Sequence, residues 1–430
     1  MSSLNPSQTK PRIYYGWVIV AVIALAGFSQ TAETFPVLGV FLKPITEEFG
    51  WSRTVFSGAM SIGTVIGGFL ALGIGPLIDR FGARWTLVIA FIILGGTLIL
   101  LAGIQTLWQF YALQILGRMM SHGVIALAIF VVVPKWFHQK RGQAMALSQM
   151  GHRIGNTVTP LYVQVLVNIA SWRLAAAVTG LVMWVVSLLP VAAFLRRSPE
   201  DMGLLPDGAT QEELENRKGQ SDSSPSPTIE RSDISMTVKQ VIRIPSFYLL
   251  MIGFALSNTV GTGVNLHMIP YFTDQGLSAT VAATIVAVWS GSGALGSLIL
   301  GYIADRYGSR KTLAVSRLLT AAGFALLLAV KNSLIGVIWG FVQGMLSGGM
   351  FLQMVLLADF YGRDSLGAIR GATMPVTLGA NAMGPLVAAI AFDLTGSYFF
   401  IFSAFGIISV GIAGMYLLAK PPVHSSVISP

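Results

Sequence analysis

The sequence predicts an all-α membrane protein with twelve transmembrane helices in two pseudo-symmetric six-helix bundles. Three observations predict it. Of 430 residues, 54% are hydrophobic and only 10% charged, against about 25% charged in an ordinary soluble domain, and the mean hydropathy is +0.71. Apolar runs near the length a bilayer requires recur along the whole chain. One polar stretch divides them six and six. So few charges cannot cover a water-soluble globule, which excludes a soluble enzyme, a nucleic-acid binder and a disordered scaffold.

The first run, 15–37, follows directly on the polar, basic Met1–Arg12, which does not read as a cleavable signal. It carries Glu33 toward its outer end. Runs 53–76 and 85–104 flank a loop, Gly75-Pro-Leu-Ile-Asp79-Arg80-Phe-Gly82-Ala-Arg84. Run 108–133 holds Arg118 and, one turn on, His122. Run 142–169 holds Gln149, Arg153, Asn156 and Pro160 along one helical stripe, with His152 about 100° away. Run 173–195 completes the first bundle, placed at 1–195. Residues 196–245 carry nine of the 18 acids and a Ser/Pro-rich stretch at 221–227. They are too polar for lipid and too short for a domain, so they read as a solvated cytoplasmic linker. Runs 247–272, 279–303, 312–330, 333–358, 368–392 and 397–418 form the second bundle, placed at 246–430.

Charge sets the orientation. With the N-terminus inside, 20 of the 27 Lys and Arg fall on the cytoplasmic side. Lys43, Arg53, Arg173 and Lys331 fall outside, and Arg118, Arg153 and Arg317 lie within spans. That bias predicts cytoplasmic termini; the expected location is the plasma (inner) membrane. Cysteine is absent, which removes disulfides, thiol catalysis and iron–sulfur ligation.

The chain repeats itself. Gly301-Tyr-Ile-Ala-Asp305-Arg306-Tyr-Gly308-Ser-Arg310-Lys311 echoes the earlier loop, Asp305 following Asp79 by 226 residues. Arg370-Gly371 weakly echoes Arg141-Gly142. Duplicated halves with a site between them are a transporter architecture.

The paired G-x-x-x-D-R-x-G-x-R loop in a twelve-span chain resembles the signature of the major facilitator superfamily. Arg118-Met-Met-Ser-His-Gly123 is similar to a second motif of that superfamily. Tyr14-Tyr-Gly-Trp17, Glu48-Phe-Gly-Trp-Ser-Arg53, Ser198-Pro-Glu-Asp-Met-Gly203, His267-Met-Ile-Pro-Tyr271 with Asp274, and Asp393-Leu-Thr-Gly-Ser-Tyr398 resemble the bacterial monocarboxylate-porter-like and oxalate–formate-antiporter-like group. The resemblance implies the major facilitator fold and transport of a small carboxylate. It would also assign a substrate carboxylate to an arginine on the eighth span. Here that stretch, Gly293–Gly301, has none, and Ser297 lies near the expected place.

Arg118 lies ten residues into its span and Arg153 eleven into the next, about 15 Å and about 16 Å deep. Each costs about 2.5–3.5 kcal/mol at the bilayer centre. Water and an anionic substrate in a central cavity would compensate them; bonds to helix carbonyls or to Glu33 are the competing arrangement. Gln149 and Asn156 share Arg153's face. In the second bundle Asn265, Gln343 and Asn381 offer hydrogen bonds and Trp289 a packing surface, although such groups equally join helices. Glu33, His122 and His152 are the candidate proton carriers of the first bundle. Asp79, Arg80, Arg84, Asp305, Arg306 and Arg310 are read as cytoplasmic hinge and gate residues. Arg317 is expected to snorkel and is given no transport role. His267 and Asp274 are placed in loop structure or an outer gate.

No HExxH, GxSxG or GxxxxGK[ST] pattern and no metal cluster is present, so no enzyme, cofactor or metal is expected. The expected activity is secondary active transport of a small organic anion, as proton-coupled symport by a monomer. The alternatives are a proton-driven exporter of amphipathic compounds and a non-transporting sensor. Against export, the fifth span carries Gly151-x-x-x-Gly155 rather than the GPxxGG pattern common in antiporters of the resembled superfamily.

Overall fold

A computed structural model describes residues 14–137, 140–205, 207, 236–362 and 366–421, without the side chains of 71–73, 75–81, 130, 131, 141, 142, 238, 366–368, 370–372 and 374. Among the described residues the long elements are all helical, and there is no strand. The first six are α1 (Gly16–Phe49), α2 (Arg53–Phe81), α3 (Ala83–Leu101), α4 (Leu107–Trp136), α5 (Arg141–Ile169) and α6 (Trp172–Phe194). The second six are α7 (Pro245–Asp274), α8 (Ala279–Tyr307), α9 (Ser309–Leu328), α10 (Ser333–Tyr361), α11 (Leu366–Thr395) and α12 (Phe399–Leu418). Ten of these are both long and apolar enough to cross a membrane. The other two, α2 and α5, are as long, at 29 residues each.

The packing repeats with a shift of six. In the first half α1 lies on α5, α2 on α4, and α3 on α6; in the second α7 lies on α11, α8 on α10, and α9 on α12. Small residues permit these approaches, as expected where apolar lipid gives helices no solvent-driven reason to associate. A Cβ on Gly151 or Gly155 would overlap the carbonyls of Ala24 and Phe28 on α1. The halves meet through α1 with α7, α2 with α11, and α5 with α8. Exchanging the halves converts the second contact into the third, so one pseudo-twofold relates the whole interface.

Gly82 and Gly308 make the equivalent turns after α2 and α8, at φ +81° and +88°, a region closed to most side chains. Two residues beyond each turn stands an arginine. Arg84 donates to the carbonyl of Ala192 near the end of α6, and Arg310 donates to that of Ala419 after α12 at 2.9 Å. Each cation caps the C-terminal end of a helix in its own half. Both caps lie within their own half, whereas pairing across the halves is the expectation for this end when it is closed. Arg306 lies 5.7 Å over the Tyr307 ring, Asp305 is exposed, and the side chains of Asp79 and Arg80 lie outside the described residues.

Helix α1 departs from its expected length. It continues to Phe49, well past residue 37, and is broken in the middle. Gly16–Gln30 ends in a tight 3-10 turn, Thr31–Glu33; Thr34 is extended; Phe35–Phe49 then restarts. Pro36, which has no N–H to give to the preceding turn, sits in the first turn of the new segment. Glu33 therefore lies at the centre of the rod, not toward its outer end.

Candidate functional site

A cavity of about 700 Å³ lies between the halves, within the range of small-ligand sites. The break in α1 shapes one wall, presenting Thr34, Phe35 and Pro36. Thr34 holds the break in place: its hydroxyl is 2.7 Å from the Thr31 carbonyl and 2.8 Å from Asn156 Oδ1 on α5. The α4 wall is distorted as well. A π-helical turn, Met119–Ile125, begins directly after Arg118 and carries His122, the kind of bulge that recurs at functional sites. Across the cavity stand Asn265 of α7, Trp289, Ser290 and Ser297 of α8, and Ser347 and Met350 of α10.

The two midplane arginines differ. Arg118 is fully buried. It donates to the Glu33 carbonyl at 2.6 Å and to the Thr64 hydroxyl at 2.6 and 3.1 Å, and its guanidinium lies 4.4 Å from the centre of the Phe35 ring. It borders the cavity from behind that ring while tying the α1 break to α2 and α4. Arg153 is exposed in the cavity, and its guanidinium lies 3.5 Å from Ser297 Oγ on α8, a long contact. A guanidinium from the first half thus reaches the place on α8 where the resembled group carries one of its own. No carboxylate is among the described lining residues.

The other expected residues divide as follows. Gln149, His152, Arg153, Asn156, His122, Asn265 and Trp289 share this cavity. His152 does so although helical spacing sets it off the stripe. Gln343 lines a neighbouring cavity, and Asn381 lines neither. Glu33 is 1% exposed and stands behind the wall, its Oε2 buried without a hydrogen-bond partner. Nε2 of His122, Nε2 of Gln149, Oδ1 of Asn265 and Oγ of Ser290 are also buried and unpartnered. A cavity edged by such atoms suits water or a polar ligand. Arg317 does not snorkel: it is only 8% exposed and faces the interior of the second half.

One end of the molecule is clasped. Lys43 Nζ and Arg53 Nη2 lie 2.9 and 2.8 Å from the Asp274 carboxylate. The backbone N–H groups of Arg53 and Thr54 donate to Asp393, and Arg53 Nη1 donates to the Tyr398 hydroxyl at 2.6 Å. The Tyr398 hydroxyl accepts there and has its own hydrogen to give. It then donates to Nδ1 of His267 at 2.8 Å, leaving the Nε2–H of that ring to bond the Pro385 carbonyl at 2.9 Å. Asn168 of α5 also meets Thr280 of α8 at 2.9 Å. The cavity lies beyond these contacts, toward the end that bears the Gly82 and Gly308 turns. There the described arginine caps close within each half. Asp274 was expected in loop structure or an outer gate; its partners Lys43 and Arg53 were visible only as outer-side charges.

The Major Facilitator Superfamily family model matches residues 19–374 and 250–429. Similar proteins include the uncharacterized transporter ESBP6 of Saccharomyces cerevisiae, 24% identical over 80% of this chain; the chain spans 49% of that relative's length. The oxalate:formate antiporter of Oxalobacter formigenes is 22% identical over 70% of this chain and 65% of its own. The 4-hydroxybenzoate transporter PcaK of Pseudomonas putida is 23% identical over 86% and 87%. Among solved structures, a D-xylose–proton symporter superposes with a TM-score of 0.71 at 15% identity, over 95% of this chain and 98% of that one.

Proposed function

The chain belongs to the major facilitator superfamily, and on that premise we propose that it is a secondary active transporter of a small organic anion, coupled to protons and working by alternating access. The observation that carries this reading is the charge of the central cavity. Arg153 is exposed in it, Arg118 stands behind its wall, and its described lining holds no acid. An anion entering there gains a guanidinium partner in a low-dielectric site, where charge-assisted hydrogen bonds are strong. Two relatives whose names specify organic anions support the class.

In this reading Arg153 takes the carboxylate, and Gln149, Asn156, Asn265 and Trp289 contact the rest of the solute. Arg118 holds the α1 break in shape and adds positive potential. Glu33 carries the coupled proton, with His122 and His152 as relays beside it. The charge bias of the sequence orients the Gly82 and Gly308 turns toward the cytoplasm of a plasma (inner) membrane, so the clasped end faces out and the cavity faces in. The two halves, before and after the linker at 196–245, rock about the cavity.

The test is uptake of labelled 4-hydroxybenzoate and oxalate into proteoliposomes. Arg153→Ala is expected to abolish uptake of the transported anion in protein that still folds, and Arg118→Ala to reduce it. Uptake unchanged in both variants overturns the anion site. Uptake indifferent to a proton uncoupler overturns the coupling.

A further inference from the structure

The second half encloses a cavity of its own, about 140 Å³ in volume, comparable to one that admits a benzene-sized group. Its walls carry Asn258, Gln343, Gln353 and, from α9, Arg317. Arg317 is eight residues from Ser309 at the start of a 20-residue helix, about 12 Å along a rod of about 30 Å. At that depth it is only 8% exposed. Its Nε is buried without a hydrogen-bond partner, as is Nε2 of Gln353 across the same space. No acid is among the described lining residues. A guanidinium taken out of water without a counter-charge is costly, and here its uncompensated donor borders open volume.

This cavity adjoins the central one. Asn265, Trp289, Ser347 and Met350 line both, so these side chains, the Trp289 ring among them, are the partition between the space beside Arg153 and the space beside Arg317. Arg153 comes from the first half and Arg317 from the second. Each half therefore contributes one cation that lacks a carboxylate partner.

We propose that Arg317 is a second anion-binding group and that the transported solute carries two acidic groups, one received by Arg153 in the central cavity and the other by Arg317 in the side cavity. The proposal rests on the central cavity being an anion site. A solute bridging the two would join the halves during the occluded step, and a monoacid would leave one arginine unanswered.

Thermal shift of the purified full-length protein tests it, with matched acids as probes: butyrate against succinate, hexanoate against adipate, benzoate against terephthalate. Wild-type protein is expected to bind at least one diacid tenfold or more tighter than its monoacid. Arg317→Gln should abolish that preference and leave monoacid binding unchanged, while its unliganded melting temperature stays at or above wild type because an uncompensated buried charge is gone. Arg153→Gln should weaken monoacid and diacid alike. Arg317→Lys, which keeps the charge and loses the planar fork, serves if the glutamine variant does not fold, and it should narrow the preference. Wild-type binding that is equal within every pair, or a preference that survives Arg317→Gln, overturns the second site and leaves the anion reading standing. No stabilisation by any carboxylate overturns the anion reading, and this proposal with it.

Discussion

Lys43 of α1 and Asp274 of α7 lie 2.9 Å apart, an ion pair that joins the two halves of the chain at the end away from the Gly82 and Gly308 turns. Arg53 of α2 reaches the same carboxylate at 2.8 Å, so one acid of the second half answers two cations of the first. Removing it leaves both cations facing each other across the interface. Asp274→Ala is expected to shift the molecule toward opening at this end by about 1–3 kcal/mol, roughly 5- to 150-fold. Lys43→Ala should cost less than about 1 kcal/mol, since its side chain is 30% exposed. With no native cysteine, spin labels at Trp108 and Leu334 report the separation directly. An unchanged distance distribution in Asp274→Ala would rule out the clasp.

The two midplane arginines should separate by what their loss damages. Arg118 makes three hydrogen bonds at full burial. Arg118→Ala leaves the Glu33 carbonyl and Thr64 hydroxyl unanswered beside a new void, a loss of about 2–4 kcal/mol of stability. Arg153 is exposed and makes only a long contact. Arg153→Ala should alter stability by less than about 0.5 kcal/mol. It should instead weaken anion binding about 10- to 100-fold, the loss of one charge-assisted hydrogen bond. Melting temperature and transport kinetics on the same preparations check both halves of this prediction.

The rods were legible because each is a run of apolar residues, and the halves because one loop occurs twice. Positions set by contact were not. Arg317 sits at a depth the sequence allowed it to escape by snorkelling; only the packing of α9 turns it inward. Glu33 was misplaced because the run after Pro36 meets Lys43, Glu47 and Glu48, whose charges read as the end of a span although the helix continues to Phe49. The cation of α8 expected from the resemblance was missing in one dimension. In three, Arg153 comes within 3.5 Å of Ser297 from the other half, a proximity of residues 144 apart that no local spacing encodes.

Helix spacing in the first half depends on α5 having no side chain where it crosses α1. A Cβ at Gly151 would overlap the backbone of Ala24, which has no rotamer to yield. Gly151→Ala should destabilise by about 1–3 kcal/mol and lower the yield of folded protein. Gly261→Ala on α7 is the control. Nothing lies within 4 Å of its added Cβ, and the gain in helix propensity makes it neutral or slightly stabilising, by up to about 1 kcal/mol. Equal melting temperatures for the two variants would contradict the close α1–α5 crossing.

Glu33 separates binding from coupling. Its backbone carbonyl accepts from Arg118 at 2.6 Å, while its carboxyl Oε2 stands buried without a partner. Its Oε1 lies 3.0 Å from the position a Cβ on Gly117 would take. Glu33→Gln keeps the backbone contact and the volume, and it fixes the side chain in a neutral state like that of the protonated acid. If the carboxyl carries the coupled proton, the variant should still exchange labelled for unlabelled anion across a proteoliposome membrane, because exchange requires no net proton movement. It should lose accumulation against a concentration gradient when a pH gradient is imposed, since the carrier no longer releases a proton on one side to take it up on the other. Full pH-driven accumulation by Glu33→Gln would remove Glu33 from the coupling path and move the role to His122, whose Nε2 is unpartnered at the cavity wall.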